Sequence, residues 1–261
     1  MSRPIMDRTG QQILMWGAER QVSALLAQTY VDSGAQVSVI KDSRGLHGDM
    51  PDEVLAIECE PSKPRDLRTL AADLDEDEHG IDVLVILHEE HRPGPLLDNS
   101  IEDWKEALQH NVHLPLQVVQ AALSALKKAR GNIAFLGNIG GLHAFDSKGP
   151  SAVARQSLHN LARYMTTEWF NDGIRVNTVA VSSIAEDSVV NDVYLPRAQC
   201  LHRQDHADLK PGYALPAEVV DVFDFITSDR ARWLTGQLIK ADGGMTMALD
   251  FDFFLRLTNY T

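Results

Sequence analysis

The densest group of side chains that could do chemistry is the run His88-Glu89-Glu90-His91. Imidazole and carboxylate groups act as acids and bases near neutral pH, and they also bind divalent metals. The spacing differs from the helical His-Glu-x-x-His zinc motif, and a strand end does not present positions i and i+3 together. We therefore predict that this run fills a polar crevice, with no metal.

Two other groups of histidines are weaker candidates. His202 and His206 are four residues apart, which on a helix would place them on one face, but their segment is polar. We interpret them as solvated side chains. His143 and Asp146 lie in a predicted loop before a long helix and could approach the crevice from there.

An alternation of strands and helices must position these groups. Apolar runs typical of buried strands alternate with helical patterns along the chain. The seven candidate strands are residues 13–16, 36–40, 54–57, 81–87, 132–136, 175–181 and 237–240. This order predicts a parallel sheet covered by helices on both faces. The carboxyl ends of such strands face the ligand crevice, where the run that begins at His88 is expected.

Two long helices are predicted at residues 101–128 and 151–170. The first carries an apolar stripe of Trp104, Leu108, Val112, Leu116, Val119, Leu123 and Leu126, and the second one of Leu158, Leu161, Met165 and Trp169. Stripes of this kind usually face the core, and they can also form a subunit interface.

Charge and composition exclude several classes of function. The net charge of −13 argues against a nucleic-acid or anionic-membrane partner, and no apolar run is long enough to cross a bilayer. The chain starts without the apolar core of a secretion signal, and Cys59 and Cys200 have no metal-type spacing. We expect a cytoplasmic protein with one domain over residues 1–261, in which 1–11 are an N-terminal extension and 248–261 an interface tail.

Three segments resemble the short-chain dehydrogenase/reductase (SDR) family. They are WLTGQLIKADGGMTM at 233–247, GIRVNTVAV at 173–181, and the four residues from Asp82 to Val85. The resemblance runs from Ile13 to about Met247. It implies a single α/β domain with a Rossmann-like, doubly wound, parallel seven-stranded sheet and helices on both faces.

The resemblance also locates the family's nicotinamide-cofactor loop, Thr-Gly-x-x-x-Gly-x-Gly, at residues 16–23. Gly17 is retained, but Gln21 and Ser23 replace the second and third glycines, which normally let the backbone approach pyrophosphate. Glu19 adds negative charge beside this path. Lys41 occupies the position of the acid that binds the ribose of NAD.

Other cofactor contacts of the family are also replaced. His88 and Glu89 stand where small residues would line the adenosine path, and Glu186 stands where a threonine would hold the nicotinamide. Glu60 is retained near an acidic residue that the family uses at the adenine. We therefore expect no bound cofactor.

The family's catalytic residues, Asn, Ser, Tyr and Lys, align with Asn111, Asn138, Ser151 and Arg155. A serine hydroxyl is far less acidic than the tyrosine phenol, and it is too short to replace it as acid–base catalyst. Hydride transfer is therefore not expected. Asn111 is interpreted as structural, because Pro115 four residues later kinks the helix without any catalytic need.

These losses favour a non-catalytic subunit that pairs with an active SDR paralogue in a heterotetramer, although a homotetramer stays open. Heterotetrameric SDRs with a degenerate subunit are similar, such as the 2-[hydroxy(phenyl)methyl]succinyl-CoA dehydrogenase of the benzylsuccinate pathway. One alternative is a cofactor-independent enzyme that uses Arg155 and the crevice, such as a lyase, an isomerase or a halohydrin-dehalogenase-like enzyme. The other is an atypical NADP-dependent reductase.

Overall fold

The structure, a computed structural model, describes residues 6–90, 96–142, 149–182, 184 and 214–247. Its strands are β1 (Gln12–Trp16), β2 (Gln36–Lys41), β3 (Leu55–Glu58), β4 (Val83–Ile86), β5 (Asn132–Asn138), β6 (Arg175–Val181) and β7 (Leu238–Ala241). They form one sheet in the order β3-β2-β1-β4-β5-β6-β7, and every pairing is parallel. The predicted seven-stranded Rossmann-like sheet is confirmed.

The helices of the described residues cover both faces of this sheet. They are α1 (Gln21–Asp32), α2 (Pro64–Glu76), α3 (Ile101–Leu108), α4 (Leu114–Ala129), α5 (Gly149–Glu168) and α6 (Pro216–Thr227). Alternate residues of a strand point to opposite faces, so each strand contributes to two cores. Met15 belongs to the core under α1 and α6, whereas Trp16 belongs to the core under α2, α4 and α5.

The two predicted apolar stripes divide between the core and the surface. In the second stripe, Leu158 and Met165 of α5 are buried, while Leu161 of α5 and Trp169, just after it, pack on the core half-buried. The other stripe has buried residues only near its C-terminal end. Its buried members are Val119 and Leu126, and its half-buried members are Trp104, Leu108, Val112, Leu116 and Leu123.

The helix predicted over residues 101–128 is interrupted by a π-helical turn, Gln109–His113, between α3 and α4. Ser100 and Asp103 form a capping box at the start of α3, which satisfies free backbone donors there. Pro115 lies in the first turn of α4, where its missing N–H removes no α-helical bond. The chain thus accommodates Pro115 because a new helix, α4, begins one residue before it.

The segment before β1 is held in place by Arg8, which is 2% exposed. Its guanidinium donates to the Asp224 carboxylate at 2.9 Å, to the Asp224 carbonyl at 2.7 Å and to the Thr227 hydroxyl at 3.0 Å. It also lies 4.7 Å from the centre of the Tyr30 ring. Residues from 6 onward, predicted as part of an extension, therefore include an anchor between α1 and α6.

Several residues named from the sequence lie outside the described residues. They are His91, His143, Asp146, Glu186, Cys200, His202, His206 and the tail 248–261.

Candidate functional site

The turn of the chain that follows β1 borders the crevice and packs tightly on the end of β4. Gly17 has a φ of +96°, and a Cβ atom there would lie 2.6 Å from the carbonyl carbon of Leu87, so only glycine fits. The Ser23 side chain is fully buried and its hydroxyl donates to the Gly17 carbonyl. Gln21, the first residue of α1, is exposed. At the position of the second glycine, Gln21 therefore faces solvent from the start of α1.

Arg44 closes the adenosine side of the crevice. The Trp16 indole N–H donates to Asp42 at 2.8 Å, and the Arg44 guanidinium contacts the same carboxylate. Arg44 also lies 2.9 Å from a Glu19 oxygen, and 5.7 Å from the centre of the Trp16 ring. Burial would raise the pKa of Asp42, but the hydrogen bonds from Arg44 and Trp16 outweigh it and lower that pKa. Asp42 is therefore an anion whose carboxylate is already bound by Trp16 and Arg44.

His88 lies just beyond β4 and is 2% exposed. Its ring stacks on Trp16 with centroids 4.4 Å apart, and its Nδ1 contacts Arg44. Burial and the positive charges of Arg44 and Arg155 hold the pKa of His88 well below its usual range, so the ring is neutral. Within the described part of the chain, its Nε2 has no hydrogen-bond partner. His88, predicted to stand in the family's adenosine path, is thus a neutral ring stacked on Trp16.

Arg155 fills the middle of the crevice from α5. Its two terminal nitrogens donate to the carbonyl of Leu136 at 3.0 Å and to that of His88 at 3.2 Å. Its Nε lies 3.4 Å from a Glu89 oxygen, whose partner oxygen is 3.6 Å from Arg20. Arg155 is 1% exposed. The arginine therefore joins the ends of β4 and β5 through backbone carbonyls and one carboxylate.

The other positions of the aligned tetrad are engaged with the protein. The Asn111 side chain accepts from the Glu90 N–H at 3.1 Å and donates to the Glu90 carbonyl at 3.0 Å, and also to that of Ala107 at 3.0 Å. It thereby ties the π-helical turn to the segment after β4. Asn138 donates to the Ser182 carbonyl at 3.3 Å. Ser151 is buried one helical turn before Arg155, on the same face of α5.

His159 belongs to this cluster, although no sequence motif identifies it. It is 4% exposed, and neither ring nitrogen has a hydrogen-bond partner among the residues described. The ring occupies space that side chains at Gly137 and Gly141 would otherwise take. Burial, followed by the charge of Arg155, lowers the pKa of His159 to about 4. The sequence signal that could have identified His159 is its spacing of four residues from Arg155 on the same helix.

Two positions aligned with the family's adenosine contacts make ordinary polar contacts. Lys41 pairs with Glu58 of the neighbouring strand at 2.7 Å, and its side chain is partly exposed. Glu60 accepts from the Ser43 N–H at 3.2 Å and from the Ser62 hydroxyl at 3.2 Å. The charge of Lys41 is thus already neutralised by Glu58. In the alternative of an NADP-dependent reductase, Lys41 would instead contact the 2′-phosphate of NADP.

The following statements on metal and membrane features hold for the part of the chain that the structure describes. There, no three His, Cys, Asp or Glu residues are grouped so that they could hold a metal ion. None of the helices in that part is both long enough and apolar enough to span a bilayer.

Comparison with known proteins agrees with this architecture. The solved structure of Cj0485 dehydrogenase superposes with a TM-score of 0.80, at 17% identity, over 92% of this chain and 96% of that one. This likeness concerns the fold alone. A second structure, of a short chain dehydrogenase/reductase family protein, gives a TM-score of 0.77 at 20% identity, over 92% of this chain and all of the other.

Sequence relatives are mostly named as reductases or dehydrogenases. The 3-oxoacyl-[acyl-carrier-protein] reductase MabA of Mycobacterium avium is 24% identical over 91% of this chain and 90% of its own length. A protein of Xanthobacter autotrophicus, named inactive 2-(S)-hydroxypropyl-CoM dehydrogenase 2, is 28% identical over 59% of this chain and 68% of its own length. Residues 17–246 match the family model described as enoyl-(acyl carrier protein) reductase. With that match over most of its length, the chain belongs to the short-chain dehydrogenase/reductase superfamily.

Proposed function

We propose that this chain is a non-catalytic SDR subunit that assembles with an active short-chain dehydrogenase, as the degenerate half of a heterotetramer. The observation that carries the proposal is the placement of Arg155. It stands at the position of the family's catalytic lysine, yet its guanidinium is buried and bound to two backbone carbonyls and to Glu89. A group held in this way is not available to a ribose or to a catalytic phenol.

Ser151 adds a chemical reason. The family's tyrosine passes a proton to the substrate oxygen, and general acid–base catalysis of this kind contributes about 10²–10⁴-fold to a rate. A serine hydroxyl has neither the acidity nor the length for that step. Its place on the same face of α5 as Arg155 supports the alignment of both residues with the catalytic pair.

The residues present do not fit a nicotinamide dinucleotide in the family's usual position. Ser23 carries a buried side chain where the third glycine would be, and it is fixed to the Gly17 carbonyl. The Glu19 carboxylate lies beside the phosphate path, paired with Arg44. The His88 ring, stacked on Trp16, stands where small residues would line the adenosine path. We derive no step through this cofactor.

The alternatives receive less support from the geometry. A cofactor-independent enzyme would rely on Arg155, but this guanidinium is already neutralised by Glu89 and deeply buried. An NADP-dependent reductase would rely on Lys41, which pairs with Glu58. By contrast, the Xanthobacter relative named inactive is a precedent for lost activity within the superfamily.

Titration of the purified chain with NADH and NADPH, followed by fluorescence, tests the cofactor half of the proposal. We expect no saturable binding up to about 1 mM, the upper end of usual enzyme affinities. An active SDR in the same buffer is the positive control. Binding in the micromolar range would overturn the proposal.

Co-purification from the native source tests the pairing half. The expected partner is an SDR with an intact Tyr-x-x-x-Lys pair, and its turnover should fall when this chain is removed. The Arg155→Ala variant is the matched control, since a non-catalytic role predicts unchanged turnover in any complex that still assembles. A homotetramer of this chain with its own turnover would contradict the proposal.

A further inference from the structure

A groove lies between the exposed side of α5 and the amino end of β7, at the end of the sheet opposite to the crevice. Its volume is about 510 Å³, and its lining residues are Asn160, Arg163, Tyr164, Thr166, Thr167 and Gly236. The Thr166 hydroxyl donates to the Val176 carbonyl at 3.3 Å, and the Gly236 N–H donates to the same carbonyl at 2.7 Å. Both walls of the groove are therefore fixed to β6.

Trp233 stands beside this groove, three residues before the glycine that lines it, and it is 94% exposed. The turn that carries Trp233 is held firmly. The Arg175 guanidinium donates to the carbonyls of Ala231 and Leu234, each at 3.1 Å, and the Asn177 side chain donates to the Leu234 carbonyl at 2.9 Å. A rigid turn thus presents a large indole ring to solvent.

Two further exposed aromatic side chains accompany this indole. Tyr164 lines the groove and Phe170 follows Thr167 by three residues, and each is 69% exposed. Aromatic side chains bury about 150–250 Å² each, so the exposed parts of these three on two copies amount to about 900 Å². The groove walls that they would cover bring the total to about 1,200 Å², at which specific protein interfaces begin.

The groove and the indole also match in size and charge. Pockets of about 300–1,000 Å³ hold drug-sized molecules, so this groove has room for an indole ring. Of its six lining residues, only Arg163 is charged, and a guanidinium is attracted to the face of an indole more than to other aromatic rings. Because Trp233 is 94% exposed, it does not fill the groove of its own chain.

We propose that two copies of this chain form a two-fold dimer, in which Trp233 of each copy inserts into the groove of the other and packs on Arg163. In a two-fold interface the same patch serves on both sides, so a patch with a projection and a matching groove makes the contact twice. The inference does not rest on the proposed function and is tested on the isolated chain. Within a heterotetramer, this dimer would join the two copies of this chain.

Analytical ultracentrifugation of the isolated chain measures the dimer, whose dissociation constant we expect to be about 1 μM or lower. Trp233→Ala should raise this constant at least about 100-fold, because two central aromatic contacts are lost at once. Arg163→Ala should raise it about tenfold, since it removes the cation–π contacts and leaves the indole in place. Leu97→Ala is the matched control, because Leu97 is 96% exposed and precedes α3, and it should leave the constant unchanged.

A mixing experiment tests the reciprocal insertion itself. Asn160→Trp fills the groove but keeps Trp233, whereas Trp233→Ala keeps the groove open, so neither variant can pair productively with itself. In an equimolar mixture, one Trp233 meets one open groove. We expect this mixture to form a heterodimer that is weaker than the wild-type dimer and tighter than the dimer of either variant alone.

A wild-type chain that stays monomeric up to about 100 μM would refute the proposal, whether the groove is then filled by the chain's own tail 248–261 or by another dehydrogenase. A dimer that Trp233→Ala leaves intact would place the interface elsewhere, and it refutes the proposal as well. Growth into polymers with rising concentration would indicate a head-to-tail contact and would overturn the two-fold arrangement.

Discussion

Two buried arginines on opposite faces of the sheet have different surroundings. Arg8, near α1 and α6, donates to the Asp224 carboxylate, the Asp224 carbonyl and the Thr227 hydroxyl at 2.7–3.0 Å. Arg155, on α5, reaches two carbonyls at 3.0 and 3.2 Å and the Glu89 carboxylate at 3.4 Å. Both side chains are almost completely withdrawn from water.

The difference separates a fully hydrogen-bonded anchor from a buried cation whose donors are only partly used. A buried charge is stable when hydrogen bonds use its donors, and it is costly when donors are left without partners. Arg8 meets that condition, and its Nε also donates to Asp224, at 3.2 Å. Arg155 does not, and among the residues that the structure describes the neighbouring His88 and His159 also have ring nitrogens without a hydrogen-bond partner. Unsatisfied buried polar atoms of these three residues therefore lie together near the carboxyl ends of β4 and β5.

The largest expected effect is on the anchor. Arg8→Met leaves the Asp224 carboxylate and the Thr227 hydroxyl without their donor, so we expect the free energy of unfolding to fall by about 3–5 kcal/mol. Urea denaturation at pH 7.5 measures it. Arg232, which is exposed, supplies the matched control, and Arg232→Met should change stability by less than about 0.5 kcal/mol. A loss below about 1 kcal/mol in Arg8→Met would show that Arg8 is not an anchor.

The sequence predicted the sheet better than it predicted these surroundings. Strands and helices follow from the spacing of apolar residues, which is local, and the family resemblance put Ser151 and Arg155 on one helix. Arg8 and Asp224 are 216 residues apart, and nothing local to either residue identifies the other. His159 had no motif, because its burial depends on the space left by glycines of another segment. Gln21 was placed correctly in the chain, but its orientation depends on where α1 begins.

A smaller effect is expected from pH at His159. The folded-state pKa, about 4, is below the ordinary value of 6.5. Above pH 6.5 both folded and unfolded chains hold the ring neutral, so it costs nothing there. Between pH 6.5 and about 4 only the unfolded chain takes up the proton, and stability falls as the pH falls. At pH 5 this group should cost about 2 kcal/mol.

Urea denaturation of the wild type and of His159→Leu at pH 7.5 and pH 5 isolates that cost. Other groups titrate in the same range, among them His88, so the comparison between the two proteins is the measurement. We expect the wild type to lose about 2 kcal/mol more than His159→Leu on acidification. Equal losses in the two proteins would mean that His159 is not buried neutral beside Arg155.

The smallest expected effect is the coupling energy within each ion pair. It tests the comparison between Arg8 and Arg155 most directly. A double-mutant cycle with Arg155→Met and Glu89→Leu should give about 1 kcal/mol, because Glu89 is shared with Arg20 and is not hydrogen-bonded to Arg155. The cycle with Arg8→Met and Asp224→Leu should give about 3 kcal/mol, since that pair has hydrogen bonds at 2.9 and 3.2 Å. A coupling for Glu89 and Arg155 as large as that for Arg8 and Asp224 would make Arg155 a second anchor.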